Sequence, residues 1–151
     1  MVIVSACLIG VNCKYNGGSN LNEEVVKMAG EGVIPVCPEQ LGGCTTPRAM
    51  TEISCGAGGD VLDGKCRVVN IDGEDVTHEF IKGAEEVLRI AGITGAKKAV
   101  LKSRSPSCGC GLIYDGSFSK KLIEGNGVTA ELLLRNGIEV VTEENLKGSE
   151  K

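Results

Sequence analysis

The sequence has no tryptophan, and aromatic residues make up 3% of its 151 positions, so its core must be aliphatic. Its one histidine, His78, follows a helix-capping threonine and reads as a solvated surface residue, which leaves a Cys–His nucleophile pair a single, poorly placed candidate. No basic run exceeds two residues and the net charge is −4, so a phosphate-tracking surface is not favoured and nucleic acid is not an expected partner. The apolar start, MVIVSACLIG, is too short to cross a membrane and has no basic stretch ahead of it. It reads as a buried strand, no membrane partner is expected, and the expected location is the cytoplasm. The glycine clusters, Gly56-Ala-Gly-Gly59 among them, match neither GxxxxGK[ST] nor GxGxxG, so they give little support to a nucleotide loop.

Cysteine is abundant instead: positions 7, 13, 37, 44, 55, 66, 108 and 110. An even number suits disulfides in a secreted chain, but without a secretion signal the thiols are expected to be reduced. Clustered reduced thiols point to a metal or to thiol chemistry.

Apolar runs rich in β-branched residues predict strands over 2–6, 33–36, 99–101 and 138–141, with a shorter one over 66–71 ahead of an Asp72-Gly73 turn. Pro35 places the second strand at an edge or an end. Helices are predicted over 22–29 (Asn20 or Asn22 as cap), 77–91 (Thr77 as cap) and 128–135. Residues 37–59 read as loop. Alternating strands and helices imply an α/β fold, a single three-layer domain with a mostly parallel sheet. The domain is expected to span 1–143, followed by a charged tail over 144–151.

In such sheets ligands bind beyond the carboxyl ends of the strands. VIVSAC leads to Cys7, VIPVC to Cys37 and AVLKSRSPSC to Cys108, so parallel neighbours would bring three thiols to one edge. Spacing leaves zinc, an iron–sulfur cluster and unliganded buried thiols all open. The glycines near the thiols, at 42, 43, 109 and 111, are expected to let backbone N–H groups approach sulfur. Glu39, held two residues from Cys37 by Pro38, is a candidate for moving a proton. Ser105, three residues before Cys108, is a candidate to face the same pocket. A redox pair of Cys108 and Cys110 has weak support, because the spacing is CxC.

Taken in order, VSACLIGVNCKYNGG, VIPVCPEQLGG, TPR, the Asp72–Thr77 segment, LKSRSPSCG, IYDGSFS and GVTAELL resemble the domain-of-unknown-function family 523. One branch of that family consists of thiouracil desulfidases. The resemblance implies a [4Fe–4S] cluster on Cys7, Cys37 and Cys108, with one iron open to the sulfur of a thiolated pyrimidine base, nucleoside or nucleotide. It assigns catalysis to Glu39 and Ser105. It leaves the roles of Cys13, Cys44, Cys55, Cys66 and Cys110 undefined. The competing expectation is a non-catalytic zinc or iron–sulfur module.

Overall fold

A computed structural model describes residues 1–30 and 32–146. Strands β1 (Val2–Ser5), β2 (Val33–Val36), β5 (Lys98–Leu101) and β8 (Glu139–Thr142) form one parallel sheet in the order β2-β1-β5-β8. Pro35 lies on the edge strand, where its missing N–H costs no ladder bond. Two antiparallel pairs stand apart from this sheet: β3 (Thr51–Ile53) with β4 (Val68–Asn70), and β6 (Leu112–Tyr114) with β7 (Leu122–Glu124).

Alternation along the strands splits the core across the two faces. Ile3, Ala99, Leu101 and Val140 point to one face, where they pack with Val87 and Ala91 of α4 (Thr77–Thr94) and Leu133 of α5 (Val128–Arg135). Val4 and Val100 point to the other, against Val25 of α1 (Glu23–Ala29), Leu8 and Leu146. The result is the expected three-layer α/β arrangement. A further cluster joins Phe80 and Ala84 of α4 to Ile53, Val68, Ile113 and Val128, which ties both antiparallel pairs to the main body. Each fully buried Leu, Ile or Val contributes roughly 1.5–3 kcal/mol.

Several expectations change. The span 37–59 is not all loop: it holds α2 (Pro38–Leu41), β3 and the start of α3 (Gly58–Leu62). The β6–β7 hairpin was not expected, because three-residue strands carry too little alternation to be read. Thr77 is the first helical residue rather than the cap. Its N–H and hydroxyl both donate to Asp75, which holds that carboxyl down at about 2. Asn22 caps α1, accepting from the N–H groups of Glu24 and Val25. Cys55 and Cys66 are joined in a disulfide, Cα atoms 5.5 Å apart, contrary to the expectation of thiols throughout. Of the expected charged tail, residues 147–151 lie outside the described residues.

Among the described residues, no helix is long and apolar enough to cross a membrane.

Candidate active site

From β1 the chain turns towards β2 on one side, and from β5 towards β8 on the other. The carboxyl ends of β1 and β5 therefore flank a switch point, the usual place for a ligand in an open sheet. A cavity of about 440 Å³ opens there, and Cys7, Cys37, Cys108, Glu39 and Ser105 all line it.

Each thiol arrives on a different device. Cys7 lies in a single 3₁₀ turn, Ala6–Ile9, directly after β1. Cys37 directly follows β2 and is the N-cap of α2, whose first residue is Pro38. Cys108 lies in the 102–111 loop, which the start of α5 holds in place. The N–H groups of Val128 and Thr129 donate to the carbonyls of Pro106 and Ser107 at 2.9 and 2.8 Å. The Ser107 and Thr129 hydroxyls pair at 2.8 Å, fully buried.

The hydroxyls and glycines of this loop serve the fold first. Ser105 Oγ accepts from the N–H groups of Ser107 and Cys108, both at 3.0 Å, so the hydroxyl hydrogen is what remains for a ligand. The expectation that glycine N–H groups face the sulfurs is not met. The Gly109 N–H goes to the Ser105 carbonyl, Gly111 to Asn126 Oδ1, Gly42 to Pro38 and Gly43 to Gln40. Gly42 and Gly83 are instead needed for close approach: a Cβ on Gly42 would lie 1.9 Å from the Glu79 carbonyl oxygen of α4, and one on Gly83 2.0 Å from that of Pro38. The sulfurs take donors from side chains, Asn20 Nδ2 to Cys7 Sγ at 3.4 Å and Ser5 to Cys108.

Burial, with the charge of Glu39 adding to it, pushes the Cys7 and Cys37 thiols up and the Cys108 thiol well up. Alone, the three are neutral thiols; they need a bound cation to become thiolates. Among the described residues, no three His, Cys, Asp or Glu side chains converge closely enough for a single metal ion. Three soft sulfur donors lining one cavity suit an iron–sulfur cluster, which distributes its protein ligands over separate irons.

Glu39 is anchored in place. Its carboxylate faces Arg48 Nη2 at 3.7 Å and accepts a weak bond from Cys37 Sγ at 3.9 Å. Arg48 also donates to the Cys13 carbonyl at 3.1 Å and to Thr46 Oγ1 at 3.1 Å. Lys102, at the cavity edge, is neutralised by Glu143 at 3.2 Å. Arg104 pairs with Glu144 at 3.0 Å.

Sequence reasoning missed one part of the cavity lining. Glu52, a buried residue of β3, accepts from the N–H groups of Gly116 and Phe118 through one oxygen, Oε1, at 2.9 and 3.2 Å. This holds the β6–β7 tip so that Phe118 and Lys120, both at positive φ, line the cavity. A lone Glu in a three-residue strand gives no warning of such a role. Arg48 had a trace, the TPR motif, but its partners are distant in sequence.

Residues 2–145 match the model of the 2-thiouracil desulfurase family. The uncharacterized protein YbbK of Bacillus subtilis (strain 168) is 46% identical over 147 residues, 97% of each chain. Among solved structures, the [4Fe-4S]-dependent thiouracil desulfidase TudS superposes with a TM-score of 0.84 at 38% identity, covering 97% of this chain and 93% of its own.

Proposed function

The chain belongs to the 2-thiouracil desulfurase family, and on that footing we propose that the cavity at the β1/β5 switch point is its desulfidation site. Family and solved relative make the protein an enzyme, a thiouracil desulfidase that depends on a [4Fe–4S] cluster, rather than a non-catalytic metal module. We assign the cluster to Cys7, Cys37 and Cys108. The observation that carries this is the three thiols from three strand ends lining one cavity beside an anchored carboxylate.

When bound, the cluster supplies a Lewis-acidic iron that polarises the thiocarbonyl of the substrate. Glu39 takes a proton from the attacking water and returns one to the departing sulfur. Arg48 holds Glu39 at the cavity wall, so the carboxylate needs no reorganisation during the reaction. The Ser105 hydroxyl hydrogen, free of the loop's own bonds, orients a substrate oxygen or nitrogen. Water replaces sulfur at the ring carbon, giving the carbonyl pyrimidine and hydrosulfide with no net oxidation. Thiolated pyrimidine bases, nucleosides or nucleotides are the substrate class.

The test is anaerobic reconstitution followed by iron and sulfide analysis and a hydrosulfide assay on 2-thiouracil and 4-thiouridine. A brown protein that releases hydrosulfide, and a Cys108→Ser variant that does neither, is the expected outcome. A brown wild type inert on every thiolated pyrimidine would reject the reading.

A further inference from the structure

The chain has four aromatic residues, Tyr15, Phe80, Tyr114 and Phe118. All four line the cavity beyond β1 and β5. Aromatic side chains ordinarily supply much of a core's buried area. Here aliphatic residues fill the three apolar clusters, and of the aromatics only Phe80 belongs to one of them.

Three of the four are committed elsewhere. Phe80 is 2% exposed and packs with Ile53, Val68 and Ile113. The Tyr15 ring, on an exposed loop, carries the Lys14 ammonium 5.8 Å from its centroid. Tyr114 lies within β6, opposite Leu122 of β7. Phe118 is half-buried and belongs to no apolar cluster. Its φ is 56°, a left-handed conformation that a bulky side chain rarely adopts. Such a conformation persists where the surroundings over-determine it, as they do at ligand clamps. Glu52 Oε1 holds the N–H groups of Gly116 and Phe118, and the Asp115 carboxylate holds the N–H and hydroxyl of Ser117. Gly116 approaches β3 so closely that a Cβ there would lie 2.4 Å from the Ile53 carbonyl oxygen. The backbone beneath the Phe118 ring is thus fixed before any ligand arrives.

We propose that Phe118 stacks on the ring of the substrate and selects planar heteroaromatic thiones over non-aromatic thiocarbonyl compounds. This rests on the reading of the cavity as the desulfidation site. A phenyl face makes no directional hydrogen bonds, so it accepts a flat ring and leaves the placing of the thiocarbonyl to the polar groups of the cavity. The contact is already made in the bound substrate, so its loss falls on KM more than on kcat.

The test uses the full chain, reconstituted anaerobically, as wild type, Phe118→Leu, Phe118→Asn and Phe118→Tyr. Leucine keeps the bulk without the π face, and asparagine tolerates the left-handed backbone, so its Tm should be no lower than that of the wild type. Desulfidation is measured on 2-thiouracil and on 5,6-dihydro-2-thiouracil, which keeps the thiocarbonyl and both ring N–H groups but is not aromatic. Uracil binding is measured by calorimetry, which needs no turnover. In the leucine and asparagine variants KM for 2-thiouracil and Kd for uracil should rise ~10-fold, with a smaller loss for the dihydro compound. Tyrosine should restore both values. Unchanged KM and Kd in the leucine and asparagine variants, or equal losses on the two thiones, would overturn the proposal while hydrosulfide release leaves the desulfidation reading standing. A wild type inert on both thiones, whose uracil binding still depends on Phe118, would support stacking and reject that reading. A wild type that neither turns over nor binds uracil would reject both.

Discussion

Replacing Gly83 with alanine asks whether the packing of α2 on α4 places Cys37 and Glu39. In a helix interior, Gly→Ala ordinarily stabilises by about 1 kcal/mol. At Gly83 the new Cβ would lie 2.0 Å from the Pro38 carbonyl oxygen and 2.8 Å from its carbon. An ordinary carbon–oxygen contact is ~3.3 Å, so Pro38 must retreat by ~1.3 Å. Overpacking of this kind costs ~1–3 kcal/mol, and a clash with backbone belongs at the upper end. The net expectation is a loss of ~2 kcal/mol, read as a fall in Tm of ~4–8 °C in a domain of this size. Pro38 lies between Cys37 and Glu39, so a displacement of about 1 Å should also lower activity ~10²-fold. Gly92, in the same helix, has nothing within 4 Å of its added Cβ. Gly92→Ala should therefore raise Tm by ~2–4 °C. Thermal unfolding of both variants decides the matter. A Gly83→Ala protein as stable as the wild type would refute the close-approach argument.

Glu39→Gln should keep iron content and colour while losing ~10²–10⁴-fold in turnover; loss of iron instead would make Glu39 a ligand or support. Cys110→Ser should leave iron content and desulfidation nearly unchanged, as measured by iron analysis and hydrosulfide release, because its thiol faces Val140 and a separate surface cavity. Ser107→Ala strands the buried Thr129 hydroxyl and should cost ~1–3 kcal/mol by urea unfolding. Burial alone would raise the Glu143 carboxyl, but the Ser103 N–H, Lys102 and the Ser103 hydroxyl outweigh it, so its folded value is lowered. Its stabilising share is present above the ordinary glutamate value of about 4.3 and is lost as pH falls through the lower folded value. Glu143→Gln should therefore flatten the acid limb of the stability–pH curve.

The sheet and the long helices were legible because Val2–Ser5, Val33–Val36 and Lys98–Leu101 are β-branched or apolar runs, and Phe80, Ala84, Val87 and Ala91 keep a helical spacing. Local pattern failed for three of the short strands outside the main sheet and for the four-residue helix Pro38–Leu41. Thr51–Ile53, Leu112–Tyr114 and Leu122–Glu124 are strands only because a partner completes them. Thiols beyond the ends of β1, β2 and β5 could be anticipated from topology, since parallel neighbours share an edge. Cys13, which lines the same cavity, could not, because no spacing rule connects a loop at residue 13 to a strand end at residue 37. The Cys55–Cys66 pair was missed because redox compartment was inferred from a missing signal, which says nothing about two residues brought 5.5 Å apart. Around Cys108, the glycine N–H groups expected to approach sulfur, and the Ser105 oxygen expected to face the pocket, prove to be used in the loop's own hydrogen bonds.

The clamp of Glu52 on the β6–β7 tip divides the labour of the cavity between two independently rooted parts. The thiols grow from the ends of buried parallel strands, where any change in spacing disturbs the core. Another part of the lining, Phe118 and Lys120, belongs to the β6–β7 turn, which Glu52 ties to β3 through one carboxylate oxygen. Substitution in that turn therefore reshapes one part of the cavity lining without touching the strands that carry the thiols. Descendants of one ancestor can diverge in diet without having to reinvent their chemistry.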